Sequence, residues 1–262
     1  MVAERELVGY GVVLESAAHG PQFCLGVLLT SNPPQGGGPD VVNWDWSEVS
    51  GYQSLSGTTW GDYTLTGIYD GDTFTMTRPP MPGRQVDEGG PAAAASPDEL
   101  ATPCPAPPGG WRVVDPSRAT YESMERTFET AHGLEGYAGS WMDQSINPAS
   151  RSRTEDGALL MNDPTRLIIN VMVTGDTTAA EAKLRQIWGG ALCVSPARHT
   201  EAELLRVLDD VLSTPGILTA GTGRDRVHLE VIHDDGSLQR ELDDRFGAGL
   251  VVVASALRPY DG

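Results

Sequence analysis

Residues 166–198 read RLIINVMVTGDTTAAEAKLRQIWGGALCVSPAR, and residues 226–258 read RVHLEVIHDDGSLQRELDDRFGAGLVVVASALR. Each segment is 33 residues long and follows one order. An apolar strand leads to a turn with Gly and Asp, then a helical stripe, an aromatic residue with Gly, a second apolar strand and a closing Arg. Laid together, Val171 matches Val231, Leu184 matches Leu242, Trp188 matches Phe246 and Arg198 matches Arg258. Trp188 and Phe246 then read as core residues. Further strands precede each copy, at Ser140–Gln144 and Ile217–Ala220. The unit is ββαβ, present twice and joined by a helix over Thr200–Leu212. The two units form either one mixed sheet or two sheets related by a pseudo-twofold axis.

The joining helix is the clearest in the chain. Thr200 and Glu203 hold capping-box positions, and Leu204, Val207, Leu208 and Val211 share a stripe. Ser117–Ala131 fits a helix through Tyr121, Met124 and Phe128, and Ser237–Phe246 fits one capped by Ser237 and closed by Gly247.

Residues before 79 read differently. Leu7–Glu15 and Gln22–Thr30 are strand patterns, and Asn32–Asp40 (NPPQGGGPD) is a loop. Asp62–Ile68 alternates with Tyr63, Leu65 and Gly67 on one side, and Thr73–Arg78 alternates with Phe74 and Met76. Asp70-Gly71 between them is a hairpin signal. Residues 79–118 are dominated by Pro, Gly and Ala, too poor in large apolar residues to offset their ordering entropy. The fold class is therefore α+β: a small OB-like β-barrel over 1–78, a linker over 79–118 and an α/β domain of two ββαβ pseudo-repeats over 119–262.

The chain has 36 acids, 18 bases and a formal net charge of −18, which opposes a phosphate backbone and makes nucleic acid a poor partner. Lys183 is the single lysine among the bases. No apolar run reaches the roughly 18–20 residues of a membrane span. Met1–Leu7 lacks the apolar core of a signal peptide, so the chain reads as cytoplasmic as written, or as a cell-envelope protein if an export signal has been removed. Cys24 and Cys193 lie in apolar runs and read as buried small hydrophobes, whereas Cys104 lies in an exposed Pro-rich stretch.

No zinc spacing, nucleophile elbow, phosphate loop or dinucleotide fingerprint is present, and no cofactor or metal is implied. His228 and His233 flank one strand at odd spacing and point to opposite faces. The most chemically suggestive words are Trp44-Asp45-Trp46 and Trp60-Gly61-Asp62-Tyr63. Rings around an acid can grip a flat ligand, so Trp44, Asp45, Trp46, Trp60 and Tyr63 are the candidate binding residues. The structural alternative places one Trp in the barrel core with Asp45 capping a turn. Asp143, in Trp141-Met142-Asp143-Gln144, is a second candidate acid.

Gly9-Tyr10-Gly11-Val12-Val13-Leu14, Cys24-Leu25-Gly26, Pro33-Pro34-Gln35, Trp44-Asp45-Trp46, Thr59-Trp60-Gly61-Asp62-Tyr63 and Gly67-Ile68-Tyr69-Asp70-Gly71 resemble a group of uncharacterised actinobacterial proteins. So do Tyr137–Gln144, Asn162–Thr165, Val173–Asp176 and Ser255–Pro259, so the likeness spans nearly the whole chain. In such relatives a Cys after Pro-Pro-Gln could bridge to the one before Leu-Gly. Here that position is Gly36, which leaves Cys24 free. The likeness carries no known activity and transfers no catalytic residue. More loosely, Ala138–Gln144, Thr174-Gly175-Asp176 and Thr200–Leu204 are similar to pro-segments of actinobacterial secreted serine proteases.

The expected function is non-enzymatic binding of a protein or small ligand. The alternatives are an inhibitor-like or pro-segment-like module acting by strand addition at a sheet edge, and a hydrolase using Asp45 or Asp143.

Overall fold

The computed structural model describes residues 5–26, 29, 31–83, 100–151 and 160–261. The fold is α+β and mostly sheet. The chain forms two compact units, one of residues 1–91, 212–221 and 228–262, the other of 92–211 and 222–227. These units do not follow chain order: the first gathers both ends, whereas composition alone sets boundaries near 78 and 118.

The first unit is built on β1 (Leu7–Ser16), β2 (His19–Cys24), β3 (Asp40–Val41), β4 (Gln53–Leu55), β5 (Thr58–Tyr69), β6 (Thr73–Met76) and β7 (Met81–Pro82). Strand pairing runs β1-β2-β3-β6-β5, and β5 pairs back onto β1, so these strands close a ring. All its pairings are antiparallel except β3–β6, which is parallel. Alternation on β1 and β5 turns one face inward: Leu7, Val13, Tyr63 and Leu65 join Phe23, Val41, Phe74 and Leu257 in a buried core. The Asp-Gly hairpin forms as its sequence requires. Tyr69 pairs with Phe74, the Asp70 carboxylate accepts the Asp72 and Thr73 N–H groups, and Gly71 takes φ +105°. The second strand starts earlier than its sequence pattern, because Ala17-Ala18 turn tightly enough for His19 to pair with Ser16; it ends at Cys24, and residues 27, 28 and 30 of that pattern lie outside the described residues.

The second unit contains α1 (Tyr121–His132), β8 (Tyr137–Asp143), β9 (Ile168–Val173), α2 (Thr177–Arg185), β10 (Ala191–Pro196) and α3 (Glu201–Val211). Its sheet runs β10-β9-β8, with β9–β10 parallel and β8–β9 antiparallel. Leu167, Ile169, Val171 and Val173 pack one face against Met124, Ala131, Ala180, Leu184 and the fully buried Trp188. Helix α1 begins later than its sequence pattern, because Pro116–Arg118 form a 3-10 turn and Thr120 supplies the cap. Thr200 and Glu203 form the expected reciprocal cap of α3.

Beyond these lie β11 (Ile217–Gly223), β12 (Arg226–Val231), α4 (Ser237–Phe246), β13 (Val251–Ser255) and β14 (Arg258–Pro259), which pairs with the start of β1. Strands β11-β12-β13 form a three-stranded sheet traced in the same order as β8-β9-β10. Matching hydrogen bonds recur: Thr174 N–H to the Gly136 carbonyl and Ile232 N–H to the Gly216 carbonyl, then Ala197 N–H to Val173 and Ala256 N–H to Val231. Val231 thus corresponds to Val173, not to Val171 as the letter match has it. A two-residue slip keeps every side chain on its own face, so alternation cannot detect it. Two local readings are also corrected. The cap of α4 is Asp234, whose oxygens accept the Leu238 and Gln239 N–H groups, while the N-cap position is Gly236 at φ +89°. Phe246 is half-buried with Arg245 stacked on its ring, so it is not the core counterpart of Trp188.

The cysteines also differ from their isolated sequence reading. Cys104 and Cys193 form a disulfide across 89 residues, and Cys104 is half-buried rather than exposed. Cys24 is free and buried. The disulfide belongs to a strap over residues 100–118. Thr102 bonds Asp143, the Leu100 carbonyl accepts the Trp141 indole N–H, and the Gly189 carbonyl accepts the Val114 and Asp115 N–H groups. The part of the proposed linker at 84–99 lies outside the described residues.

Candidate functional site

Between β3 and β4 the chain leaves the ring as Val42–Tyr52. Val41 points into the core, Val42 and Asn43 are exposed, and Trp44 is half-buried and packs against that core again. Asn43 fixes this path through two bonds to the Met76 backbone, at 2.9 Å each. Asp45 then caps a 3-10 turn over Trp46–Glu48, accepting the Ser47 N–H at 2.8 Å and the Ser47 hydroxyl at 2.7 Å. Those bonds hold the exposed Asp45 carboxyl below the usual carboxylate range, the hydroxyl contributing most.

The turn stacks the rings in series. Trp44 lies edge-on to Tyr63 with centroids 4.9 Å apart and to Trp46 at 5.1 Å, and Trp46 meets Tyr52 at 5.2 Å. Exposure rises along the series, from 0% at Tyr63 through the half-buried Trp44 and Trp46 to 44% at Tyr52. Gly61 makes room for the inner end, since a Cβ there would lie 2.8 Å from the Tyr63 ring. The Tyr63 hydroxyl donates to the Ser50 carbonyl at 2.9 Å, and burial pushes its pKa up, with smaller contributions from Tyr52 and Asp62. The Trp46 indole N–H donates to the Glu15 carboxylate. The Trp44 indole nitrogen is buried and has no hydrogen-bond partner among the described residues.

The structure therefore brings together Trp44, Asp45, Trp46 and Tyr63 and adds Tyr52. It does not add Trp60. Trp60 and Tyr63 are three residues apart on β5, so they project to opposite faces. Trp60 stands opposite Leu14 on β1, whose side chain is 2% exposed.

Asp143, in the second unit, is 6% exposed and ends β8. Burial by itself raises its pKa. The Thr102 hydroxyl at 2.6 Å, Thr102 N–H at 2.8 Å and Ser145 N–H at 2.7 Å outweigh that effect and hold the carboxyl below its usual range. Asp45 and Asp143 are both shifted toward the ionised form, the direction opposite to that of a general acid at neutral pH. Among the described residues no group of three or more His, Cys, Asp or Glu is placed to hold a metal ion. No helix among them is long and apolar enough to cross a membrane.

No protein-family model matches this chain, and no curated protein matches it.

Proposed function

We propose that this chain is a binding protein rather than a catalyst, and that its contact surface is the outer end of the Tyr63–Trp44–Trp46–Tyr52 series with Asp45 beside it. One observation carries the reading: a continuous edge-to-face stack anchors an exposed ring to a buried one. A ring held this way loses little conformational entropy when a partner covers it. The carboxylates nearby set the partner's character. Asp45 is exposed and ionised, Glu48 is exposed, and Glu15 is held at Trp46. Aromatic faces among carboxylates favour cations, so the partner is a polypeptide segment presenting Arg or Lys beside apolar side chains. Trp60 leaves the candidate set.

The ring is read as an OB-like barrel. Its loops support a partner other than nucleic acid. The turn after its first strand spans Ala17-Ala18 and that between β5 and β6 spans Asp70–Asp72, which leaves little loop to wrap an oligonucleotide. The net charge of −18 favours the same conclusion. The two ββαβ segments are read as an internal duplication, and the actinobacterial likeness as kinship. The Cys104–Cys193 disulfide supports an oxidising compartment such as the cell envelope.

The test is titration with short peptides that combine Arg and Phe, against matched peptides carrying Glu for Arg, read on the Trp46 indole resonance. The Arg peptides should bind and Tyr52→Ala should weaken them. A second reading, strand addition to a protease or other partner, is favoured by β10, which ends its sheet. It requires the peptide to protect β10 amides instead.

A further inference from the structure

A separate pocket in the first unit has no part in the aromatic surface. It holds about 330 Å³ and is lined by Arg5, Leu7, Ile68, Tyr69, His233, Asp234, Asp235 and Pro259. Strand pairing assembles its floor: Leu7 pairs with Pro259 on one side and with Gly67, next to Ile68, on the other. Polar groups then arrive from three separate stretches of chain.

Their chemistry is fixed by bonds already made. His233 Nδ1 lies 3.0 Å from the Leu257 carbonyl oxygen. A carbonyl only accepts, so Nδ1 carries the hydrogen and Nε2 of the neutral ring is left as an acceptor. The Tyr69 hydroxyl donates to the Gly71 carbonyl at 2.8 Å, which leaves its oxygen lone pairs. Asp234 spends both oxygens on the α4 backbone. Asp235 accepts the Ser237 N–H on one oxygen, and a carboxylate has room for several hydrogens. Arg5 brings a guanidinium whose ion pair with Asp261, at 3.2 Å, is solvent-exposed. The pocket thus offers acceptors, one fork of donors and an apolar floor.

We propose that this pocket binds a small amphoteric ligand: an α-amino acid with an apolar side chain, or the same two charged termini carried by a dipeptide. The ammonium faces Asp235, His233 Nε2 and Tyr69, the carboxylate faces Arg5, and the side chain lies on Leu7, Ile68 and Pro259. The volume sits at the small end of ligand pockets, which run from roughly 300 to 1,000 Å³.

The experiment titrates L-leucine, leucyl-leucine, L-leucinamide and N-acetyl-L-leucine into the full chain, read by calorimetry and by the His233 ring resonances. Leucine or leucyl-leucine should bind and shift those resonances, and whichever binds identifies the source. Masking either charge should weaken binding about tenfold or more, as loss of one charged hydrogen bond does. Arg5→Gln should erase the preference for a free carboxylate, and Asp235→Asn the preference for a free ammonium. Arg5 is exposed, so its variant folds even if Asp235→Asn loosens the turn. No response to any of the four probes, or masked forms binding as well as free ones, overturns the proposal.

Discussion

The Trp44 indole meets the buried Tyr63 ring at 4.9 Å with planes 68° apart, so a residue of an exposed turn is packed as part of the core. Its neighbours Trp46 and Val49 also pack on that core. The surface and the fold therefore share side chains, and substitutions along the series should separate the two roles. Trp44→Ala removes a ring from a cluster that cannot fully collapse, and should lower unfolding free energy by about 3 kcal/mol in urea titration. Tyr52→Ala, at the exposed end, should cost less than about 1 kcal/mol. Equal costs would show that the series is not graded.

The disulfide gives a chemical test. Unfolded without reductant, the chain should show one reactive thiol, Cys24, and with reductant three. The Cys193→Ser variant should lose about 2–4 kcal/mol of stability, since the bridge closes a long loop and pins the 100–118 strap. Three thiols without reductant would contradict the bridge.

Cys24 itself should be inert while the protein is folded. Burial pushes its pKa up to about 11, so its thiolate is scarce at pH 8, and the thiolate is the reactive form. Iodoacetamide should label it only on unfolding. Rapid labelling of folded protein at pH 8 would mean that the thiol is open to solvent.

Asp143 predicts a pH dependence. Its folded pKa is depressed, so its contribution is present above the unfolded value of about 4 and is lost as pH falls through the folded value. Asp143→Asn should cost about 2 kcal/mol at pH 7, because the Thr102 and Ser145 donors lose a charged acceptor. The gap between variant and parent should close below about pH 4. A gap that persists unchanged at pH 3 would assign the effect to packing instead.

How much of this was legible depends on whether the signal is local. The Asp70-Gly71 hairpin and the Thr200–Glu203 cap are short-range chemistry, and both form as read. Alternation in the sequence is visible only from Asp62, so the pattern leaves Trp60 outside the strand and says nothing of its face. Once β5 begins at Thr58, odd spacing alone sends Trp60 and Tyr63 to opposite faces. Tyr52 carried no signal beyond being an aromatic residue after Ser50-Gly51. The Cys104–Cys193 bridge spans 89 residues and leaves no spacing motif. The register between β9 and β12 slips by two, the one shift that alternation hides. The pocket draws on residues 5, 7, 68–69, 233–235 and 259, which only the closed fold brings together.

The central claim is that the outer aromatic end is a contact surface for cationic, apolar polypeptide. Its most direct measurement is the Trp46 indole resonance during titration with Arg–Phe peptides and their Glu–Phe counterparts. The account predicts a saturable shift with the Arg peptides alone, weakened about tenfold by Tyr52→Ala at unchanged stability. Equal response to both peptide sets, or a response untouched by Tyr52→Ala, would contradict it.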